Sequence, residues 1–355
     1  MAQGLKRDKC LNICGISKNQ FYHKAKGGRR GRRRTRDTLQ LVEEDVFRRG
    51  NGMVVEQIKQ IFEEPLIDYG YRKMCAELQL RGWLINHKKV YRLMKQHCLL
   101  RPKPIREAKN YVKYRVVAPE APLRLMEMDI KQVWLHTERR YAYILTIIDV
   151  FTRVVLYWTV GLQMRQSQVQ YAWQQVIENY LQPLRLLAWE VNIEVRSDNG
   201  PQFCAKKLRE FLQQNYLMQT FTHPYTPQEN GHIESFHAIL GNGLRGKAFD
   251  DLKMLEIELK VFYQFYNFER IHGSTVKLPP ITFWQQWQQQ NIEREVLDEK
   301  ARKVRFKLKI KRQQISKVRL TGNESHREVL SLIFKGSMPD KIILVTHSDG
   351  AQAPC

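Results

Sequence analysis

Thirty-five residues separate Asp198 from Glu234, and the stretches around these two acids constrain the chain more than any other feature. The first acid lies in Val195-Arg-Ser-Asp-Asn-Gly-Pro-Gln-Phe203, just past an apolar segment, Val191 to Val195. The second lies in Thr226-Pro-Gln-Glu-Asn-Gly-His-Ile-Glu-Ser-Phe236, about one turn into an expected helix. Thr226 reads as its N-cap, Pro227 as its first residue and Glu229 as its third, a Thr-x-x-Glu capping box. Gly231 inside that helix costs about 1 kcal/mol against Ala, which a close backbone approach explains. A third acid, Asp129, sits upstream in Leu125-Met-Glu-Met-Asp-Ile130. Three carboxylates on separate elements are expected to converge on divalent metal.

At 355 residues the chain is long enough for two or three domains. Lys and Arg number 59 against 36 Asp and Glu, a net charge of +23, which favours a polyanion as partner. No apolar run reaches membrane-spanning length, and the first residues carry no apolar signal core. The reading is an intracellular protein that contacts no membrane. None of the six cysteines forms a Cys-x-x-Cys pair, which excludes a zinc ribbon and a thioredoxin-type motif. Cys10, Cys14 and His23 offer three ligands to a metal, against the simpler reading of reduced structural thiols.

Residues 1–36 read as a helix-turn-helix remnant and a basic linker. Gly15 is the turn and Ser17 the N-cap of a helix presenting Lys18, Asn19 and Gln20 to a DNA groove, or else packing as a short hairpin. Eight of the thirteen residues from Lys24 to Arg36 are basic, among them Arg29, Arg30, Arg32, Arg33 and Arg34, a run suited to phosphates. Residues 37–100 read as a helical DNA-binding domain. Leu39, Val42 and Val46 recur at helical spacing, as do Val54, Ile58 and Ile61, with Gly50-Asn-Gly52 as the break between two helices. Asn86 caps a last helix with Val90, Leu93 and Met94 inward and Lys88, Lys89, Arg92 and Lys95 outward. Proline-rich residues 101–122 read as a linker.

From 123 the pattern turns to strands, and 123–245 reads as an α/β catalytic core. Tyr141–Asp149 and Arg153–Val160 form a hairpin, followed by helix, strand, helix, strand and the Glu234 helix. Residues 246–292 read as a helical extension, with Pro279-Pro280 closing one part of it. Residues 293–355 read as a small basic β module, in which Arg305–Lys311 alternates cationic and apolar and pairs with Val329–Phe334 and Ile342–Val345.

Phosphodiester exchange needs an oxygen nucleophile, an in-line phosphorus and a stabilised leaving oxygen, and two Mg²⁺ ions can supply all three. Mg²⁺ prefers carboxylate oxygen, so three acids suffice without a Ser, Cys or His nucleophile. Asp149 competes with Asp129 for the first position and reads instead as a turn residue. His223, His232 and His237 surround Glu234, and Trp284 and Trp287 read as core anchors.

Ser197-Asp-Asn-Gly-Pro-Gln-Phe203 and His223–Phe236 resemble the signature of DDE transposases and retroviral-type integrases, including its thirty-five-residue gap. Tyr69-Gly-Tyr-Arg72, His87–Met94 and Tyr266-Asn-Phe-Glu-Arg270 with His272 resemble the bacterial insertion-sequence group whose enzyme is made from two overlapping frames, this chain matching the second-frame product. The resemblance covers about 37 to 285. It implies an RNase H-like core in which Asp129, Asp198 and Glu234 are catalytic ligands of two Mg²⁺ ions, with Mn²⁺ as a substitute. It further implies cleavage of element ends, joining of the 3′ hydroxyl to target DNA, a homo-oligomer on DNA and an upstream-frame fusion partner. Asn199 is an expected DNA contact. Members often carry a basic residue seven places after the glutamate. That place is Gly241 here, with Arg245 or Lys247 as substitutes. The other readings are an RNase H-like nuclease without strand transfer and a non-catalytic DNA-binding regulator.

Overall fold

The computed structural model describes residues 4, 6–23, 35–102, 118–188, 190–222, 230–298 and 303–317. Arg29, Arg30, Arg32, Arg33 and Arg34, His223, the Thr226 capping box and the expected strands at 329–334 and 342–345 lie outside them.

Residues 1–37 form one compact unit. Helix α1 (Arg7–Ile13) turns at Gly15, whose φ of +64° costs glycine nothing, into α2 (Lys18–Tyr22). Ser17 Oγ accepts from the Gln20 N–H, and the Gln20 side chain accepts from the Ser17 N–H, a complete capping box. Lys18 pairs with Asp8 at 3.0 Å, and Asn19 is exposed.

The second unit, residues 38–355, begins with a correction. The spacing of Leu39, Val42 and Val46 predicts a helix, but the chain forms strands β1 (Asp37–Val42) and β2 (Asp45–Gly50). Val42 and Val46 stay exposed, so no helical face is buried to hold a helix. Glu43 takes a left-handed φ of 55° in the turn between the strands. Helix α3 (Asn51–Glu63) starts inside Gly50-Asn-Gly52, the expected break. Helix α4 (Tyr71–Leu80) then leads through Gly82 to β3 (Trp83–Leu84), which pairs with β1, Leu39 opposite Leu84. Gly82 has φ +85°, and a Cβ there would lie 2.0 Å from the Leu41 carbonyl oxygen. In α5 (His87–Gln96) the Asn86 side chain accepts from the Lys89 N–H at 2.9 Å. Val90, Leu93 and Met94 are buried against Val54, Ile58 and Trp83, while Lys88 and Lys95 are exposed.

The core is a five-stranded sheet. Its strands are β4 (Leu125–Leu135), β5 (Arg140–Asp149), β6 (Val155–Gly161), β7 (Ile193–Ser197) and β8 (Leu217–Phe221), in the order β6-β5-β4-β7-β8. β4, β5 and β6 pair antiparallel, whereas β7 and β8 run parallel to β4. Between β6 and β7 lies α6 (Gln166–Val176), which continues into a π turn, Ile177–Leu181. Between β7 and β8 lie α7 (Pro201–Cys204) and α8 (Lys206–Gln214). After β8 come α9 (Gly231–Gly243) and α10 (Leu252–Gln264). The period-two alternation of strands decides the layers. Met126 and Met128 face Val169, Trp173 and Leu208, whereas Ile144 and Ile148 face Ile233, Phe236 and Leu259. The result is the expected RNase H-like arrangement, an α/β core with helices on both faces and a helical domain before it.

Pro279-Pro280 opens a helix instead of closing a region: Pro280 is the first residue of α11 (Pro280–Gln288), where a missing N–H costs nothing. The basic strand β10 (Lys303–Leu308) pairs antiparallel with β9 (Ile292–Asp298), and Phe306 packs on Phe151 and Phe283. Trp284 is fully buried and stacks on Tyr180, and Trp287 packs on Phe151, both as core anchors.

Polar contacts join the helical domain to the segment after α10. Arg270 donates from both Nη atoms to the two Asp68 carboxylate oxygens at 2.9 Å. The Tyr69 hydroxyl accepts from the Ile271 N–H at 2.9 Å. Lys317 bridges Glu77 at 2.8 Å and Glu269 at 3.0 Å. Among the described residues no helix is long and apolar enough to cross a membrane.

Candidate functional site

Asp129 lies on β4, and Asp198 follows the end of the neighbouring parallel strand β7. β4 and β7 pair with Leu125 beside Glu194, Met126 beside Val195 and Glu127 beside Arg196. Two more steps along both strands bring residue 129 level with residue 198, and the two aspartates line one open cleft of about 660 Å³. Arg140, Tyr143, Arg165 and Gln202 line it with them. Asp198 Oδ1 accepts from the Gly200 N–H at 3.0 Å. A Cβ at Gly200 would sit 3.1 Å from that oxygen and 2.7 Å from Gln202 Nε2, so a larger residue there would push the Gln202 side chain aside. Burial, joined by the charge of Asp129 and opposed by the Gly200 N–H, raises the Asp198 carboxyl above its ordinary value.

Helix α9 runs beside β4 in step with it. Glu127 Oε2 accepts from the Ile233 N–H at 2.8 Å. Asp129 Oδ2 faces His237 Nδ1 at 3.2 Å, while its Oδ1 accepts from the Ile130 N–H at 2.7 Å. A Cβ on Gly241 would lie 3.7 Å from Lys131 Nζ. Two strand residues advance about 6.7 Å and four helical residues about 6 Å, which keeps the three pairs in register. Glu234 is exposed in the first turn of α9, three residues before His237 and so on a neighbouring part of the same face. Among the described residues no three His, Cys, Asp or Glu side chains lie close enough to hold a metal ion together. The structure therefore brings Asp129 and Asp198 into one cleft and leaves Glu234 on the adjoining helix. The segment that leads into that helix, 223–229, lies outside the described residues.

Glu127 is the residue that the sequence did not single out. Strand alternation puts it on the Asp129 side of β4, and it is fully buried. Burial pushes its carboxyl up to about 7, against the backbone N–H of Ile233 and the charges of Arg153 and Arg196. It caps the N-terminus of α9 from another element. Glu127→Leu removes that acceptor and buries an unpaired N–H. It is expected to cost about 1–3 kcal/mol in urea unfolding, whereas Glu127→Gln keeps an acceptor oxygen and stays within about 1 kcal/mol of the parent.

Other expected residues take varied positions. Asp149 is a turn residue: fully buried, it accepts from the Leu123 N–H at 2.9 Å and the Thr152 N–H at 2.8 Å. His232 is held near 3 by burial, and by the charges of Arg153 and Arg196, so it stays neutral. Asn199 donates to the Thr222 carbonyl at 3.0 Å. Arg245 donates to Asn242 at 2.7 Å, and Lys247 pairs with Glu258, which leaves Lys131 as the cation beside Gly241. In α5, Lys89 and Arg92 are half-buried beside the exposed Lys88.

Comparison with known proteins matches an integrase core domain at residues 119–227, an HTH-like domain at 51–106 and a second integrase core model at 217–280. One relative is an uncharacterised 39.2 kDa protein of insertion element IS476 from Xanthomonas euvesicatoria, 27% identical over 61% of this chain. The match spans only 60% of that relative's length. Another is the putative transposase InsK of insertion sequence IS150 from Escherichia coli (strain K12), 24% identical over 65% of this chain and 82% of the relative. Among solved structures, the simian T-cell lymphotropic virus intasome with a PP2A regulatory subunit aligns over 61% of this chain and 70% of its own, at 15% identity and TM-score 0.40. The catalytic core of BIV integrase aligns over 47% and 97%, at 21% identity and TM-score 0.35.

Proposed function

We propose, for a chain that belongs to the insertion-sequence transposases and carries an integrase core and an HTH-like domain, that it cleaves element ends and joins the freed 3′ hydroxyl to target DNA. The observation that supports this best is a single cleft lined by Asp129 of β4, by Asp198 just past the end of the neighbouring parallel strand β7, and by Arg140 and Arg165. Two hard oxygen donors in one cleft, with Asp198 raised by burial and further by the charge of Asp129, suit a divalent cation. Asp129, Asp198 and Glu234 are the proposed ligands of two Mg²⁺ ions, with Mn²⁺ as a substitute. When bound, Mg²⁺ draws charge from the oxygens of the reacting phosphate.

The protein's own side chains do the rest. Arg140 and Arg165 attract the DNA phosphates into the cleft. His237 orients the Asp129 carboxylate through Nδ1, and Glu127 anchors the helix that carries Glu234. Lys131 takes the end-phosphate contact that Gly241 cannot make. The HTH-like domain, with Lys88, Lys89 and Arg92 on α5, and the unit with Lys18 and Asn19 read the element ends, and Arg29, Arg30, Arg32, Arg33 and Arg34 hold phosphates between them. A homo-oligomer on the two ends, an upstream-frame fusion partner and a cytoplasmic, nucleoid-associated setting belong to the same reading.

The test combines a labelled, pre-cleaved element-end duplex, plasmid DNA and the full chain with Mg²⁺ or Mn²⁺. Joined product is expected with either ion and none with EDTA. Cleavage without joining would instead favour a nuclease, and binding without either reaction a regulator.

A further inference from the structure

A second cleft, of about 860 Å³, opens between the β9–β10 hairpin, the turn at 273–277 and the Gln79 end of α4. Arg153, Lys277, Arg305, Lys307, Lys311 and Arg312 line it, and among the described residues no carboxylate does. It shares no residue with the cleft of Asp129 and Asp198. Arg153 stands in the β5–β6 turn just past Asp149, which pairs with Met126, three places along β4 from Asp129, or about 10 Å.

The chain goes to some cost to gather these cations. Val276 and Lys277 both adopt left-handed backbone, φ 46° and 59°, which a β-branched valine rarely takes. Arg312 holds that turn by donating to the Val276 carbonyl at 2.6 Å. Arg153 Nη1 and Arg312 Nε are buried with no hydrogen-bond partner among the described residues. Burial, with the like charges of Arg312 and Arg72, lowers Lys277 below its ordinary value. Lys307 pairs with Glu295 at 2.8 Å.

We propose that this cleft is a second binding site for the sugar-phosphate backbone of duplex DNA, engaging a segment away from the reacting phosphate. The assignment of DNA as the polyanion rests on the transposase reading. Along the hairpin, Lys303, Arg305, Lys307 and Lys309 are exposed at every second residue. Their spacing is about 6.7 Å, close to two phosphates' advance along one strand of a duplex, about 6.8 Å. Single-stranded nucleic acid is bound through exposed aromatic faces. The cleft's aromatic, Phe306, is instead packed among Phe151, Phe283 and Trp287.

The experiment uses the full chain carrying Asp198→Asn, so that no chemistry intervenes, and a labelled 40-bp duplex of random sequence over a salt series. Adding Lys277→Gln, Arg305→Gln and Lys311→Gln is expected to reduce the slope of log affinity against log salt by about 2–3, at roughly 0.9 per phosphate contact. Affinity near 0.1 M salt is expected to fall about a hundredfold or more. The double variant Arg305→Gln/Lys311→Gln touches exposed residues alone and is expected to lose about 2 of slope. A control triple on α8, Lys206→Gln, Lys207→Gln and Arg209→Gln, is expected to lose less than 1. An unchanged slope in the cleft variants, or an equal loss in the α8 control, overturns the site. A poly-glutamate peptide that loses binding in the cleft variants while duplex binding holds overturns DNA as the occupant. Failure of the joining assay with duplex binding intact would strike the transposition reading and leave the cleft's polyanion site standing.

Discussion

Asp198→Asn is expected to reduce joining of a pre-cleaved end by about a thousandfold or more, with folding and duplex binding intact. The substitution keeps the size of the side chain and an oxygen for the Gly200 N–H, so the Asp-Asn-Gly turn survives. It removes the negative charge that pairs with Asp129 across the strand ends. The free protein gains from that loss, because two like charges no longer share one cleft, so its melting temperature is expected to be unchanged or slightly higher. A drop in joining together with a drop in melting temperature would indicate a structural role. Joining at the parental rate would remove the metal reading of this carboxylate. The contrast is Asp149, another aspartate nearby in the same sheet: its oxygens are engaged by Leu123 and Thr152, and its loss would act on stability.

Much of this site was legible because its signals are local. Strand alternation, the glycine in Asp198-Asn-Gly200 and the buried face of α5 each follow from neighbouring residues, and each appears where the pattern put it. The failures involve the choice of partner. Leu39, Val42 and Val46 satisfy a helical period as well as a strand, and what decides is pairing with Trp83 and Leu84, more than forty residues away. The basic strand pairs with β9, just before it in the chain, whereas the sequence points to 329–334 and 342–345, which lie outside the described residues. Glu127 was passed over although alternation from Asp129 puts it on the same side of β4. An acid within an apolar strand gives no sign of which helix end it will cap. The cation beside Gly241 is Lys131 of β4 and not a residue just past the end of α9, because helix and strand advance at nearly equal steps.

The other large expected effect concerns the Tyr266–His272 stretch, whose work is to hold the helical domain. Arg270 is 5% exposed at its side chain and Asp68 40% exposed, so the two halves of the pair are not equivalent. Asp68→Asn leaves a buried guanidinium without its countercharge and is expected to cost about 2–3 kcal/mol in urea unfolding. Arg270→Met leaves an aspartate that can turn to water, so it is expected to cost less, and the double variant less than the sum. The pH dependence follows from the same corner. Burial, and then the charges of Arg270, Lys73 and Arg153, hold His272 well below its ordinary value, and Tyr266 packs edge-on against it. A depressed histidine gives stability that is full above about 6.5 and lost as pH falls, at up to about 1.4 kcal/mol per unit. Burial raises the Asp68 carboxyl, but the Arg270 hydrogen bonds and charge outweigh it and hold the group below its ordinary value. Its contribution is therefore present above about pH 4 and disappears below it. Unfolding measured from pH 8 to 3 is expected to show both steps. Asp68→Asn should delete the lower step and keep the upper one, and His272→Asn the reverse. If Asp68→Asn flattened both, the two groups would titrate as one unit and the clamp would be a single coupled network.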